Sequence, residues 1–244
     1  ECHVFPVFQY RFNAPVRRIR RGIQDGELGD PRIISIRQRW CRTQEYYDQG
    51  DWRGTYSLDG GALTNQGIHH LDLIQYFGGP VAEVFAVKAT LGSSIEVEDS
   101  IVATLQFENG AIGSLEITTA TRPDDVESSV SIIAANGYAI LGGWATDKLV
   151  AYSPSPAETE TFSQSNVDAY GQGHVDIYAG VVRRIRLLGE PAVTTTDARS
   201  VLGLLHSLYV SADEHRLVAL REGIQFAQLG AYDRALWSTY QTAN

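Results

Sequence analysis

The hydrophobic and polar positions change period several times along the chain. Residues 4–10 alternate as a short strand. Val16, Ile19 and Ile23 then recur at helical spacing and predict a helix to about Asp25. Asn13 is its cap candidate, Pro15 lies in its first turn, and Gly26 and Gly29 end it. Residues 32–42 alternate again, with Ile34, Ile36 and Trp40 on one face and Arg37 and Arg39 on the other. Residues 43–58 form a polar, aromatic loop holding Tyr46, Tyr47, Trp52 and Tyr56; long loops of this kind usually carry function. The helical period returns over residues 59–79, opened by Gly60 and Gly61 and closed by Gly78 and Gly79. After Pro80, alternating runs predict strands at 81–91, 100–107, 111–119, 126–134, 138–141 and 148–153, with 160–163 as a further candidate. Asn109-Gly110 and Asn136-Gly137 fall between such runs, a strong hairpin signal. Helices at 175–188 and 197–214 follow, the second capped by Thr196 or Asp197. A last strand at 216–220 and a tail of helical character from residue 224 end the chain. One helix, many strands, then helices is an α+β order. It predicts a large open mixed or antiparallel sheet with helices packed on one face.

The 59–79 stretch concentrates the chemistry. Leu63, Leu71, Ile74 and Phe77 make its apolar stripe. Asn65, His69, Asp72 and Tyr76 fall at i, i+4, i+7 and i+11, which one continuous helix stacks along a single face. A neutral imidazole gives or takes a proton near pH 7, and a neighbouring amide orients it or a substrate. Two other readings stand beside this one. His69 and His70 are also compatible with ordinary helix histidines, one in the core and one in solvent. A metal site is the third, although His69, His70 and Asp72 lack an i, i+4 pair of ligands.

Composition changes the picture only in part. The chain has 244 residues, 43% apolar and 20% charged, ordinary for one large or two small globular domains. A net charge of −9 disfavours nucleic acid and anionic membrane as partners. Cys2 and Cys41 form no disulfide framework, so a reducing cytoplasm is the expected location. No apolar stretch reaches membrane-span length. The sequence holds no methionine and starts within an apparent interior strand, so it is expected to begin mid-protein. No G-x-G-x-x-G joins a strand to a helix: Gly171-Gln172-Gly173 has Asp176 at the third glycine and no βαβ context.

Trp52-Arg53-Gly54-Thr55, Asp59-Gly60-Gly61-Ala62-Leu63 and Asn65-Gln66-Gly67-Ile68-His69-His70-Leu71-Asp72-Leu73 resemble the substrate domain of the glucose–fructose oxidoreductase / inositol dehydrogenase family (Gfo/Idh/MocA). Tyr10-Arg11-Phe12-Asn13 resembles that family's crossover from its first domain, Val97-Glu98-Asp99-Ser100 and Phe107-Glu108-Asn109-Gly110-Ala111 its sheet, and residues 171–188 and 197–212 its closing helices. The likeness runs from about Val7 to Leu220 and, through the N-Q-x-x-H signature, is nearest to members acting on free or nucleotide-linked sugars. It implies a dihydrodipicolinate-reductase-like C-terminal sheet domain over residues 26–222, preceded in 1–25 by a strand and crossover helix left from a missing Rossmann domain, and followed by a tail at 223–244. It implies NAD or NADP as cofactor, although the binding fingerprint and the family's lysine are absent from this sequence. It places the catalytic histidine at His69 and the preceding polar residue at Asn65, where many members have aspartate. It sets Trp52 and Arg53 at the nicotinamide end of the cofactor, and Arg122, His174 and Tyr47 are candidate sugar contacts. The implied partners are a sugar-like substrate, the Rossmann domain in cis or trans, and further copies of the chain in a homodimer or homotetramer through the sheet.

Three functions compete on this reading. The first is the substrate and catalytic domain of a sugar, nucleotide-sugar or cyclitol dehydrogenase, inactive by itself without the cofactor domain. The second is a non-enzymatic domain that dimerises through its sheet. The third is a hydrolase or lyase using His69 with Asp72, again dependent on the cofactor.

Overall fold

A computed structural model of the chain describes residues 4–164, 173–186, 189 and 191–236. Eight strands form one sheet: β1 (Pro31–Arg39), β2 (Val81–Ala89), β3 (Ser100–Phe107), β4 (Ile112–Thr118), β5 (Glu127–Ala134), β6 (Tyr138–Gly142), β7 (Lys148–Tyr152) and β8 (Val218–Ala219). Their order is β7-β6-β5-β1-β4-β3-β2-β8. Pairing is antiparallel except between β1 and β4, which run parallel with Ile36 opposite Leu115. The sheet is therefore mixed, in an α+β arrangement, as the element order predicts. β1 lies centrally because the chain crosses over through the long loop and the helix before β2 instead of turning back on itself.

Alternation sets the two faces. In β3, Ile101, Ala103, Leu105 and Phe107 are buried while Val102 is 57% exposed. In β1, Ile34, Ile36 and Gln38 point inward. The covered face carries α1 (Ala14–Gln24), α3 (Ala62–Asn65), α4 (Ile68–Gly78) and α7 (Thr195–Glu214). Val16, Ile19, Leu71, Ile74, Phe77, Leu204, Leu205 and Leu208 fill the core between helices and sheet. The short helix α2 (Gln44–Tyr47) lies within the aromatic loop. α5 (Glu158–Phe162) packs against β7 and α1, and α6 (Gly173–Ile185) against a 3-10 turn at Gln9–Phe12.

Several local expectations change. Residues 4–8 form no strand, and the chain then enters the Gln9–Phe12 turn: no neighbouring strand offers a ladder, and Pro6 has no N–H to donate. The Asn13 side chain does not cap α1; its Nδ2 donates to the Ala145 carbonyl at 2.6 Å. Residues 160–162 belong to helix α5, with Ser163 as its C-cap and Glu158 at its start paired to Arg18. α7 starts two residues earlier than expected, capped by Thr194, whose Oγ1 accepts from Asp197 N–H while Asp197 accepts from Thr194 N–H. The helical tail is irregular over residues 224–233; Phe226 stacks on Tyr209 and Gly230 N–H donates to the Tyr56 carbonyl. Residues 237–244 and the expected end of α6 at 187–188 lie outside the described residues.

Candidate active site

The 59–79 stretch is two helices, not one. α3 ends at Asn65 and α4 begins at Ile68. The break falls at Gln66-Gly67, where the chain presses onto the sheet. A Cβ at Gly67 would lie 2.9 Å from the Leu63 carbonyl oxygen and 3.2 Å from Ile117. Asn65 therefore does not share one continuous helix face with His69. Its amide instead donates to Asp59, whose other oxygen accepts from Gly54 N–H at 2.8 Å. Asp59 thus ties the end of α3 to the Trp52–Arg53 loop.

The polar line of α4 divides by partner. Asp72 is buried and gripped by Arg11, whose Nε lies 2.8 and 3.0 Å from its two oxygens. Tyr76 lies under two guanidinium groups, Arg11 at 4.7 Å and Arg20 at 4.9 Å from its ring centroid. Both residues dock the Gln9–Phe12 turn and α1 onto α4, a structural task. His70 is fully buried, its Nε2 3.0 Å from Ser128 Oγ, and burial lowers its pKa to about 3. It is the core histidine of the pair.

His69 differs from all of these. Its ring sits in a notch of Tyr10, at 5.0 Å, and Phe8, at 6.3 Å. The Gln9 amide nitrogen is 3.2 Å from its Nε2. An amide nitrogen only donates, so this orientation requires the lone pair on Nε2 and the proton on Nδ1. Among the described residues, His69 Nδ1 and Gln9 Oε1 are both buried without a hydrogen-bond partner. Burial lowers the His69 pKa to about 4, with the charge of His174 acting in the same direction. The imidazole is therefore neutral at pH 7. The ring is not packed dry among aliphatic side chains: its neighbours are aromatic and polar.

His174 reaches this notch because α6 starts against the Gln9–Phe12 turn, where a Cβ on Gly173 would collide with the Gln9 carbonyl. Trp52 and Arg53 are half-buried, and the Arg53 guanidinium lies over the rings of Tyr46 and Trp52. Tyr47 is buried, its hydroxyl 3.0 Å from Thr119 Oγ1, so Tyr46 is the ring that lines this loop. Arg122 is exposed and donates to the carbonyls of Gly92 at 2.9 Å and Thr121 at 2.7 Å, which joins two loops. The structure thus brings together His69, His174 and Gln9 in one place and Asn65, Asp59 and the Trp52–Arg53 loop in an adjoining one.

Sequence reasoning missed Gln9 and Glu98. Gln9 is sixty residues from His69, and no local pattern connects them. Glu98 lies just before β3, and its Oε1 accepts from Leu63 N–H at 3.0 Å and from the Tyr209 hydroxyl at 2.9 Å. It serves α3 as a cap from afar, because Gly61 at the N-cap position has no side chain. Burial pushes its carboxyl up to about 7 against the pull of these donors. A cavity of about 450 Å3 opens on the uncovered sheet face beside Trp40 and Trp144, and His69 is not in its wall. Among the described residues no group of three or more His, Cys, Asp or Glu side chains could hold a metal, and no helix is long and apolar enough to cross a membrane.

Comparison with known proteins agrees with this architecture. Residues 16–140 match the model of the GFO/IDH/MocA C-terminal domain. The chain belongs to the GFO/IDH/MocA family. It is 22% identical over 228 residues to the myo-inositol 2-dehydrogenase of Thermotoga maritima, covering 91% of this chain and 65% of that one. It is 26% identical over 197 residues to the levoglucosan dehydrogenase of Pseudarthrobacter phenanthrenivorans, covering 68% of this chain and 50% of that one. Among solved structures it resembles the WlbA dehydrogenase from Bordetella pertussis, in complex with NADH and UDP-GlcNAcA, with a TM-score of 0.81 and 33% identity. That likeness covers 87% of this chain and 63% of the dehydrogenase. The chain thus spans less than two thirds of the length of each of these relatives.

Proposed function

We propose that this chain is the substrate-binding and proton-transferring part of a nicotinamide-dependent dehydrogenase acting on a hydroxyl of a sugar, nucleotide sugar or cyclitol. The observation that carries the reading is His69: a neutral imidazole in an aromatic notch, with its own Nδ1 and the Gln9 Oε1 buried and without a hydrogen-bond partner among the described residues. The names of the relatives, dehydrogenases of inositol, levoglucosan and a nucleotide sugar acid complex, support the substrate class. A sugar presents apolar ring faces and hydroxyl edges, which suit Tyr10, Phe8 and Trp52 beside Gln9, Asn65 and His174.

Oxidising a carbinol removes a hydride from carbon and a proton from oxygen. When bound, a nicotinamide dinucleotide supplies the hydride acceptor. The described residues offer no strand–glycine-turn–helix to cradle its diphosphate, so the fit is confined to the substrate side. His69 accepts the hydroxyl proton at Nε2, where the substrate hydroxyl replaces the Gln9 amide nitrogen, and its lowered pKa keeps the ring unprotonated at neutral pH. Asn65 cannot act as a base; held by Asp59, it orients a hydroxyl. His174 and Trp52 complete the walls, and Arg122 acts through the loops it joins. The cofactor's own domain, in cis or trans, is a partner in this proposal, and the protein is placed in the cytoplasm.

The test is ligand titration of the 244-residue chain followed by NMR, with myo-inositol, glucose and a UDP-sugar as probes. The expected result is a saturable shift of the His69 ring and Asn65 amide signals, lost in His69→Ala with the remaining spectrum unchanged. Saturable binding that leaves His69 and Asn65 unmoved would refute the reading.

A second reading draws on the uncovered sheet face. Val87, Val102, Ile112 and Val150 are each more than half exposed there. Residues of this kind on one face suit self-association through the sheet, and this is compatible with the dehydrogenase reading.

A further inference from the structure

The Trp52–Arg53 loop contains a group that proton transfer at His69 does not use. The carbon of the Arg53 guanidinium lies 4.2 Å from the Tyr46 ring centroid and 4.5 Å from that of Trp52. Among the described residues no carboxylate lies within ion-pair distance of it and no hydrogen bond engages its side-chain donors, although Asp59, its carboxyl raised by burial, feels the Arg53 charge, which pulls it down. The other arginines near it are occupied: Arg42 donates to the Cys41 carbonyl and pairs with Asp125, and Arg122 holds loop carbonyls. The Asp59 carboxylate accepts instead from Gly54 N–H and Asn65.

We infer that Arg53 is the recognition site for an oxyanion carried by the substrate, a carboxylate or a phosphoryl group. The inference rests on the reading of His69 as the substrate face and names the class of substrate that face takes. Stacking on aromatic faces engages the π surfaces of a guanidinium and leaves its in-plane N–H fork available for bidentate binding. The same stacking limits the rotamers of a long side chain before a ligand arrives, which lowers the entropy lost on binding. The position is fixed relative to the chemistry: Gly54, next to Arg53, donates to Asp59, and Asp59 holds Asn65 at the end of α3.

Charge argues for a substrate group over the cofactor ring. An oxidised nicotinamide is cationic, so a guanidinium beside it would oppose its binding. An oxyanion is drawn to that cation. The chain carries a net charge of −9, which repels an anionic substrate at long range and makes a local cation necessary to hold one. Arg42, 5.5 Å from the centroid of the same Tyr46 ring, adds to the local positive field.

The test uses three ligands with one ring: glucose, glucuronate and glucose 1-phosphate. Each is titrated into the chain and into Arg53→Met and Arg53→Lys, with the Trp52 indole N–H, the Arg53 Nε–H where present, and the His69 ring followed by NMR. The expected result is that one anionic sugar binds about ten- to a hundred-fold tighter than glucose. Arg53→Met weakens the preferred anion by about that factor and glucose by far less; Arg53→Lys keeps part of the preference, because an ammonium lacks the planar fork. Whichever anion shows the preference identifies the group, carboxylate or phosphoryl. Glucose that binds and shifts His69, with neither anion preferred, would overturn this inference and leave the His69 reading standing. Equal loss of all three ligands in Arg53→Met would also overturn it, since that is the mark of a general packing role. Absence of any shift at Trp52, Arg53 and His69 with all three ligands would overturn both.

Discussion

His69 and His70 are adjacent in sequence and opposite in fate. His70 points into the core, where Ser128 takes its Nε2, while His69 points to the Gln9 notch. Helical geometry alone turns neighbours by about 100°, so spacing could say that the two differ but not which was buried. The difference has a measurable sign. Both rings have pKa values lowered by burial, to about 4 and about 3, from an ordinary value of 6.5. Their contribution to stability is complete above pH 6.5 and is lost as pH falls through the folded values. A pH-resolved NMR titration of His69 should place its midpoint well below 6. Because the charge of His174 also lowers it, His174→Ala should raise that midpoint; an unchanged value would separate the two histidines electrostatically.

Elements meet here through buried charge as well as apolar packing. The Gln9–Phe12 turn is fastened to α4 by Arg11 and Asp72, whose side chains are 10% and 1% exposed. Asp72→Asn leaves the guanidinium with only the half-exposed Asp197, and the expected loss is about 3 kcal/mol by urea denaturation, the lower end for a broken buried pair. α3 depends likewise on Glu98. Its folded pKa, about 7, is above the unfolded value of about 4.5, so its contribution is complete below pH 4.5 and lost as pH rises through 7. This amounts to on the order of 3 kcal/mol. Glu98→Gln should flatten that part of the stability–pH curve, read by denaturant unfolding between pH 5 and 8; a curve with the wild-type slope would show that the carboxyl titrates normally.

At the scale of the molecule the sheet has one covered and one open face. The open face carries a polar centre, in which Arg39 pairs with Glu116 and Glu127, flanked by exposed Val87, Val102 and Ile133. If the chain associates through this face, Val102→Lys should shift it toward monomer without altering its thermal midpoint by more than a degree or two, as measured by light scattering across a concentration series. An already monomeric wild-type chain at high concentration would exclude the arrangement. The parallel pairing of β1 with β4 is also a property of this scale, because it joins segments separated by the whole α2–β3 region.

The sequence alone determined most of the strands, their hairpins and the α+β class. Each of these rests on short-range physics: side-chain period, turn residues and the composition of one segment. The tertiary structure decided what long-range contact controls. It split the helix at Gly67, where the backbone meets β4, and turned residues 4–10 from a lone alternating run into the turn that delivers Gln9. It assigned Asp72 and Tyr76 to arginines far away in the chain, buried Tyr47 against Thr119, and left Arg53 on two aromatic rings. Which polar groups end up partnered depends on segments tens of residues apart meeting in space, and no local pattern of residues carries that information.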